Sequence, residues 1–593
     1  MSWQGAATLV SGMPPMKTLA ASLIALCALA ACTTSAPHDD RAATPAGDTS
    51  AEVSTQDGYR AIRPQQLPKR WWHDAVVYEI WPRSFRDADG DGNGDFRGMI
   101  QGLGHLQSLG VDAIWLTPVF EAPSYHGYDF EDFYAVERDY GSMADFEAFI
   151  AEAHRRDIKV VLDLVLNHIS DRHPWFLKSA RREPGFEDHF IWRDERPAGW
   201  GQAWSNTPNP EAVWHWNATR GQYYYGAFGD SQPDVNLRNP TVTAELERLA
   251  TFWLEKGVDG FRLDAVRYAI EDGPLPQQAD TPATLDYWAG FAAHVRSVKP
   301  DAMLVGEAWA DLGTIGKYRS GGQGLDSAFD FEFGELVIGI LDPDARRSAD
   351  FGTLSATAPL KGRDDLWNNL RKRAEAAPLA YFAPFLTNHD QTRIGHILKG
   401  DDARGKIAAS LLATTPGTLY LYYGEEIGLG QARTGDDRYR RALLPWTEDA
   451  NAGFNTSGRN WLDTPPSRDG AQPWWGAYWQ AQIGHGRSVQ AQDADPDSLL
   501  NHYRKMLAIR AANPRLAMPE ELRYYPVNNP RVWAVQSLGN DGATWVLVNL
   551  DATAAATFAT PDALRGMRRD QVSGQQIDIG AQMQLQPGQT QVF

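Results

Sequence analysis

Val160-Val161-Leu162-Asp163-Leu164-Val165-Leu166-Asn167-His168 is an apolar run with one acid inside it and a polar Asn-His pair at its end. It lacks the alternation of a strand with one wet face. Continuous hydrophobicity over so short a stretch marks a strand covered on both sides, as in a parallel sheet. Two more runs of this kind precede it, Val76-Val77-Tyr78-Glu79-Ile80 and Ala113-Ile114-Trp115-Leu116, and five follow: Gly260-Phe261-Arg262-Leu263-Asp264, Met303-Leu304-Val305-Gly306-Glu307, Ala328-Phe329-Asp330-Phe331, Pro384-Phe385-Leu386-Thr387-Asn388 and Leu419-Tyr420-Leu421-Tyr422. Helical patterns such as 143–156 and 243–256 lie between most of them. Eight alternations of strand and helix predict an α/β fold, a parallel (β/α)8 TIM barrel.

Two gaps in this rhythm are long. Residues 169–236, rich in Trp, Gly, Asn and Pro, predict a domain inserted after the third strand, and 436–497 form a second irregular, Trp-rich stretch. A helix is expected over 498–513. Strand-like pieces such as Val532-Trp533-Ala534-Val535 and Thr544-Trp545-Val546-Leu547-Val548 then predict a C-terminal all-β sandwich domain. The expected boundaries are 69–510 for the barrel with its insertion and 511–593 for the β domain. No repeat of solenoid period occurs.

Ahead of the barrel, Met16-Lys17 and the apolar run 19–31 have the charge and length of a secretory signal, too short for a permanent membrane span, and translation is expected to begin at Met16. Leu29-Ala30-Ala31-Cys32 resembles a bacterial lipobox, which implies cleavage before Cys32 and lipidation of its sulfur. Residues 1–32 are then a signal peptide. Residues 33–68, dominated by Ala, Thr, Ser, Asp and Pro, read as a flexible tether. Thr33 after the lipidated cysteine points to the outer membrane once the chain has crossed the inner one. The only cysteines are Cys27 and Cys32, so the mature chain would hold neither a cysteine nucleophile nor a cysteine-ligated metal.

Over the 593 residues, 56 Lys and Arg against 75 Asp and Glu leave a net charge of −19, which repels nucleic acid and anionic lipid surfaces as partners. A neutral substrate is compatible with it. The 22 Trp and 21 Tyr supply flat rings on which sugar C–H faces can pack.

In such a barrel, working residues sit at the C-terminal ends of strands. The polar residues there are Asp163, Asn167 and His168 on the third strand, Arg262 and Asp264 on the fourth, Glu307 on the fifth, and His389 and Asp390 after the seventh. Barrel packing does not need three carboxylates at one mouth, because each unpaired buried charge costs several kcal/mol or shifts its pKa. Two carboxylates plus a third match retaining glycoside hydrolysis, which needs a nucleophile and a general acid about 5–5.5 Å apart.

Asp163-Leu164-Val165-Leu166-Asn167-His168, Gly260-Phe261-Arg262-Leu263-Asp264-Ala265, Gly306-Glu307-Ala308-Trp309 and Leu386-Thr387-Asn388-His389-Asp390 resemble, in order, the four signature regions of the α-amylase family of glycoside hydrolases. The resemblance runs from about residue 71 to the end. It implies that Asp264 is the nucleophile, Glu307 the general acid/base and Asp390 the stabiliser of the transition state. It assigns Arg262 to orienting Asp264, His168 and His389 to hydrogen bonds with sugar hydroxyls, Tyr128 to stacking under the reacting ring, and Arg393 to substrate binding.

A separate stretch, Asp87-Ala88-Asp89-Gly90-Asp91-Gly92-Asn93-Gly94-Asp95, places acids at every second position on a glycine-rich turn, a pattern suited to a hard, oxygen-seeking cation. Its twelfth position is Gly98, so it is not an EF-hand. It resembles the calcium loop that many family members carry after the first strand. The resemblance implies a structural Ca²⁺ held by Asp87, Asp89, Asp91 and Asp95, with the Asn93 carbonyl.

Family patterns divide on the bond cleaved. Ala265 stands where related oligo-1,6-glucosidases usually have Val, and Tyr125 where exo-acting α-glucosidases usually have Asp; both favour an α-amylase acting on starch or maltooligosaccharides. Gln232-Pro233-Asp234-Val235-Asn236 resembles the oligo-1,6-glucosidase group, Gln391 replaces a usual Glu, and Arg267-Tyr268 replaces the Lys-His pair of many amylases. An exo-acting α-glucosidase, an oligo-1,6-glucosidase and a transglycosylase such as a trehalose synthase remain alternatives. Non-catalytic relatives lose the acids that this chain keeps.

Overall fold

The computed structural model describes residues 53–54, 58–205, 207–342, 361–432, 436–463, 475–483 and 485–593. The leader, Cys32, most of the tether and Trp474 lie outside them. No helix among the described residues is long and apolar enough to cross a membrane.

Among the described residues, eight parallel strands form one sheet: β1 (Val76–Ile80), β2 (Ala113–Leu116), β3 (Lys159–Leu164), β4 (Gly260–Leu263), β5 (Met303–Gly306), β6 (Ser327–Asp330), β7 (Phe382–Pro384) and β8 (Leu419–Tyr422). Spatial order follows chain order from β1 to β7, with β8 returning beside β1 and Cα atoms of β7 and β8 within 8 Å of each other. The predicted barrel is thus present. Its strands are buried throughout apart from Lys159 at the start of β3, which explains their continuous hydrophobicity.

The seventh strand corrects the sequence reading. It spans 382–384 instead of 384–388, because Pro384 has no N–H to extend the ladder. The chain therefore leaves the sheet early, and His389 and Asp390 ride on the loop beyond it. The helix expected from residue 243 starts at Pro240, where the Asn239 side chain accepts from Thr241 N–H and proline fits the first turn.

The insertion after β3 contains the helix Pro174–Ala180 and a three-stranded antiparallel sheet with Gln222–Tyr225 between Trp192–Arg193 and Trp214–Asn217. Trp214, Tyr225 and Trp200 pack its small core. Its last residues return to the barrel mouth, where Asp234 bridges to His168.

The C-terminal domain is built on a six-stranded antiparallel sheet, with two short two-stranded sheets alongside. Its order places Arg60–Ile62 next to Glu521–Tyr524. The expected tether of 33–68 is corrected here. Ala61 and Ile62 are buried, Ile62 to 1% exposure, and Tyr59 packs against Tyr525 at 5.2 Å, so these apolar residues complete a sheet near the far end of the chain.

Candidate active site

Strand register assembles the centre. Arg262 on β4 pairs with Asp163 on β3, and Leu263 pairs with Gly306 on β5, so the next residues, Asp264 and Glu307, leave the barrel side by side. Arg262 is fully buried between them. Its Nη1 donates to Asp163 Oδ1 at 2.8 Å and to Asp264 Oδ1 at 2.6 Å, and its Nη2 lies 2.8 Å from Glu307 Oε2 off the hydrogen-bonding direction. One guanidinium therefore serves three carboxylates, and their charges raise its own pKa further against the opposing effect of burial.

Ala265, immediately after Asp264, adopts a left-handed conformation at φ 51°, ψ 37°. A non-glycine residue rarely sits there. Its N–H donates to Glu307 Oε2 at 3.2 Å, and its left-handed backbone turns the chain that follows into the short turn Val266–Tyr268.

Burial pushes Glu307 up to about 7; Arg262 opposes this, while the nearby carboxylates of Asp264 and Asp390 add to it. Asp390 is driven the other way. Burial alone would raise it, but His389, Arg441 and Arg262 hold it far below the ordinary carboxylate range. His389 Nδ1 meets Glu79 Oε1 at 2.6 Å and its Nε2 meets Asp390 Oδ2 at 3.0 Å. Burial disfavours charge on this ring, yet the two acids overcome it and raise its pKa to about 10, leaving an imidazolium at neutral pH. Arg441 Nη2 holds Asp390 Oδ1 at 3.0 Å while its Nε donates to the His389 carbonyl.

Tyr128 forms the floor. Its ring is parallel to that of His389, and its hydroxyl bridges His389 Nε2 at 2.7 Å and Asp163 Oδ2 at 3.0 Å. His168 is buried under Phe228, with ring centroids 4.7 Å apart. Burial outweighs the nearby carboxylates of Asp264 and Asp129 and keeps it neutral. Three carboxylates on a shared guanidinium, with Glu307 raised by burial, walled by an imidazolium, a neutral histidine and aromatic rings, can perform acid–base and nucleophilic chemistry on a polar, uncharged substrate.

Residues 79–518 match the family of the alpha amylase catalytic domain. The chain belongs to the alpha-amylase family. It is similar to "Alpha-amylase 3" of Dictyoglomus thermophilum, 35% identical over 446 residues that cover 74% of this chain and 77% of that protein. It is also similar to a "Probable alpha-glucosidase" of Rhizobium meliloti, 34% identical over 532 residues that cover 82% and 90% respectively. The crystal structure of an alpha-amylase from H. orenii superposes with a TM-score of 0.68 at 30% identity, covering 87% of this chain and 98% of that one. The protein is a glycoside hydrolase of the alpha-amylase family.

Sequence reading located Asp264, Glu307, Asp390, Tyr128, His168, Arg262 and His389, and the structure brings all seven to one mouth. Arg393 is different. Its guanidinium donates to the carbonyls of Arg440 and Tyr423 and lies over the rings of Tyr422 and Tyr423, so it is buried behind the site as a support for the loop carrying Arg440 and Arg441. Two residues were missed. Glu79 gave a signal, an acid inside the apolar run of β1. Arg441 gave none, because it comes from an irregular loop.

In the acidic loop, Asp87, Asp89 and Asp95 each offer a carboxylate oxygen within 4.8 Å of the others. Asp91 is not one of the three: its Oδ1 accepts from Asn93 N–H, while Arg83 donates to Asn93 Oδ1, the side chain and not the carbonyl expected to bind. Three close carboxylates suit a hard divalent cation, so Asp87, Asp89 and Asp95 fit calcium.

Proposed function

We propose that the protein is a retaining α-amylase that cleaves α-1,4-glucosidic bonds of starch or maltooligosaccharides. Asp264 attacks the anomeric carbon while Glu307 gives its proton to the departing glycosidic oxygen, so the C1–O bond breaks and a glucosyl-enzyme forms. The ionised Glu307 then takes a proton from water, whose oxygen bonds to C1 as the bond to Asp264 breaks. Asp390, His389 and His168 hold the ring hydroxyls, and the permanently ionised Asp390 stabilises the oxocarbenium-like transition state.

The observation that carries this reading is the sharing of Arg262 by Asp264 and Glu307, with burial pushing Glu307 up to about 7. The α-1,4 endo preference is supported by Tyr125. It stacks on Trp461 at 5.3 Å and accepts from Arg441, giving an aromatic wall where a carboxylate grip on a chain end would stand. An exo-acting α-glucosidase is the second reading. The bridge that locks Asp234, within the glucosidase-like stretch 232–236, onto His168 favours it. Chromatography of the early products from soluble starch decides: mixed short maltooligosaccharides support the amylase, and glucose alone from the first minutes refutes it.

Two accessory features belong to the proposal. Asp87, Asp89 and Asp95 would hold a structural calcium ion that takes no part in the chemistry. Cys32 would carry the lipid that anchors the mature enzyme in the outer membrane, after export across the inner one. Mass spectrometry of the mature N-terminus tests the anchor, and an unmodified N-terminus other than Cys32 rejects it.

A further inference from the structure

Two of the described tryptophans are strongly exposed, and one of them adjoins the catalytic centre. Trp204, in the inserted domain, is 49% exposed. Its ring lies 5.3 Å from Phe228 and 5.7 Å from Tyr268, and Phe228 is the residue that covers His168. Tyr268 closes the short turn Val266–Tyr268 that follows Asp264. Within that turn Arg267 donates to the carbonyl of Trp309 at 2.5 Å, tying it to the loop that carries Glu307.

The loop bearing Trp204 is anchored at its base. The fully buried Gln278 side chain accepts from Gly201 N–H at 3.1 Å and donates to Gly201 C=O at 2.7 Å, in the manner of a paired strand, and also donates to the Tyr225 hydroxyl. The Gln202 carbonyl then accepts from Ser205 N–H at 2.8 Å, closing a turn around Trp204. An indole presented half-bare on an anchored turn, continuous with the wall of the centre, is a preformed flat surface. Burying it against a sugar needs little ordering.

Glu307 must face the glycosidic oxygen, so the leaving sugar lies on its side of the centre, the side to which Tyr268 and Arg267 belong. The same space receives whatever attacks the glucosyl-enzyme in the second half of the reaction. We propose that Trp204 is the sugar platform on this acceptor side and sets how much of the glucosyl-enzyme passes to a sugar hydroxyl instead of to water. This rests on the retaining mechanism proposed above. In the transfer step the acceptor oxygen bonds to C1, the bond from C1 to the Asp264 carboxylate breaks, and the acceptor proton moves to Glu307, so the balance is the same as with water.

The test uses α-glucosyl fluoride, whose departing fluoride makes no contact on the acceptor side, together with maltotriose as substrate and maltose as added acceptor. For W204A, the ratio of kcat/KM on maltotriose to that on α-glucosyl fluoride is expected to fall about tenfold, and the transfer-to-hydrolysis ratio from α-glucosyl fluoride in the presence of maltose to fall by a similar factor. W204F, which keeps a flat ring, should recover most of both ratios, and W204L, apolar but not flat, should not. The W204F and W204L pair carries the test if W204A does not fold. Wild-type ratios in W204A, or equal losses in W204F and W204L, would overturn the assignment while leaving the catalytic reading intact. A wild-type protein inert on α-glucosyl fluoride would overturn both.

Discussion

Glu307→Gln removes the proton that the leaving oxygen needs while keeping the size of the side chain. In the folded protein this carboxyl is raised from 4.5 to about 7, chiefly by burial. At about 1.36 kcal/mol per pH unit, the two protonation states differ by roughly 3 kcal/mol from their relation in an exposed glutamate. The wild-type kcat/KM on maltotriose should therefore fall about tenfold for each pH unit above 7. The variant should lose roughly 10²–10⁴-fold on maltotriose. On α-glucosyl fluoride, which leaves without a proton, it should keep its first step, and added azide, which attacks without deprotonation, should restore turnover. Its alkaline limb near 7 should be absent. The stability consequence has a definite sign. A carboxyl raised by folding carries no penalty below about 4.5, and stability is lost as pH rises through 7. The variant should thus gain a few degrees in Tm at pH 8 relative to wild type, and little at pH 4. A fluoride-release profile with an unchanged limb near 7 in Glu307→Gln, or wild-type rates on maltotriose, would show that another group supplies the proton.

Asp264→Asn should abolish turnover on maltotriose and on α-glucosyl fluoride alike, with the near- and far-UV circular dichroism of the wild type; retained fluoride release would remove Asp264 from the nucleophile's place. Complete chelation, confirmed by metal analysis, should lower Tm by several degrees while kcat at 25 °C holds, because Asp87 also binds Asn455 and the loop that carries Trp461; an unchanged Tm retires calcium. Ile62→Ala should cost about 2–4 kcal/mol in urea denaturation, as expected for a buried aliphatic side chain; a change under about 0.5 kcal/mol would mean that its strand is not needed.

The barrel was legible because burial on both faces leaves a signature no single residue can hide, and β1, β2 and β8 run as the sequence predicts. The carboxylates were legible for the opposite reason: Asp163, Asp264 and Glu307 are polar where packing asks for apolar. What escaped depends on distant partners. Glu79 reads as an oddity of β1 until His389, 310 positions away, is placed on it. Arg441 and Arg393 are both arginines near motif or loop sequence, and only the fold reveals that one reaches Asp390 while the other is captured by backbone carbonyls. Residues 60–62 looked like part of a polar linker because their partners lie more than four hundred residues later.

That last pairing imposes an order on assembly. Arg63 binds Glu521 across 458 residues of chain, and the strand just before it pairs with one of the four C-terminal strands of its sheet, which are made last. At ribosomal speeds of about 5–20 residues per second, the early segment waits roughly half a minute or more for its partner. Barrel formation is independent of that wait, but closure of the terminal sheet cannot precede the end of synthesis. Residues 60–62 and 590–592 then lie in one hydrogen-bonded layer, so a pull on the chain ahead of that early strand is felt first by the module synthesised last.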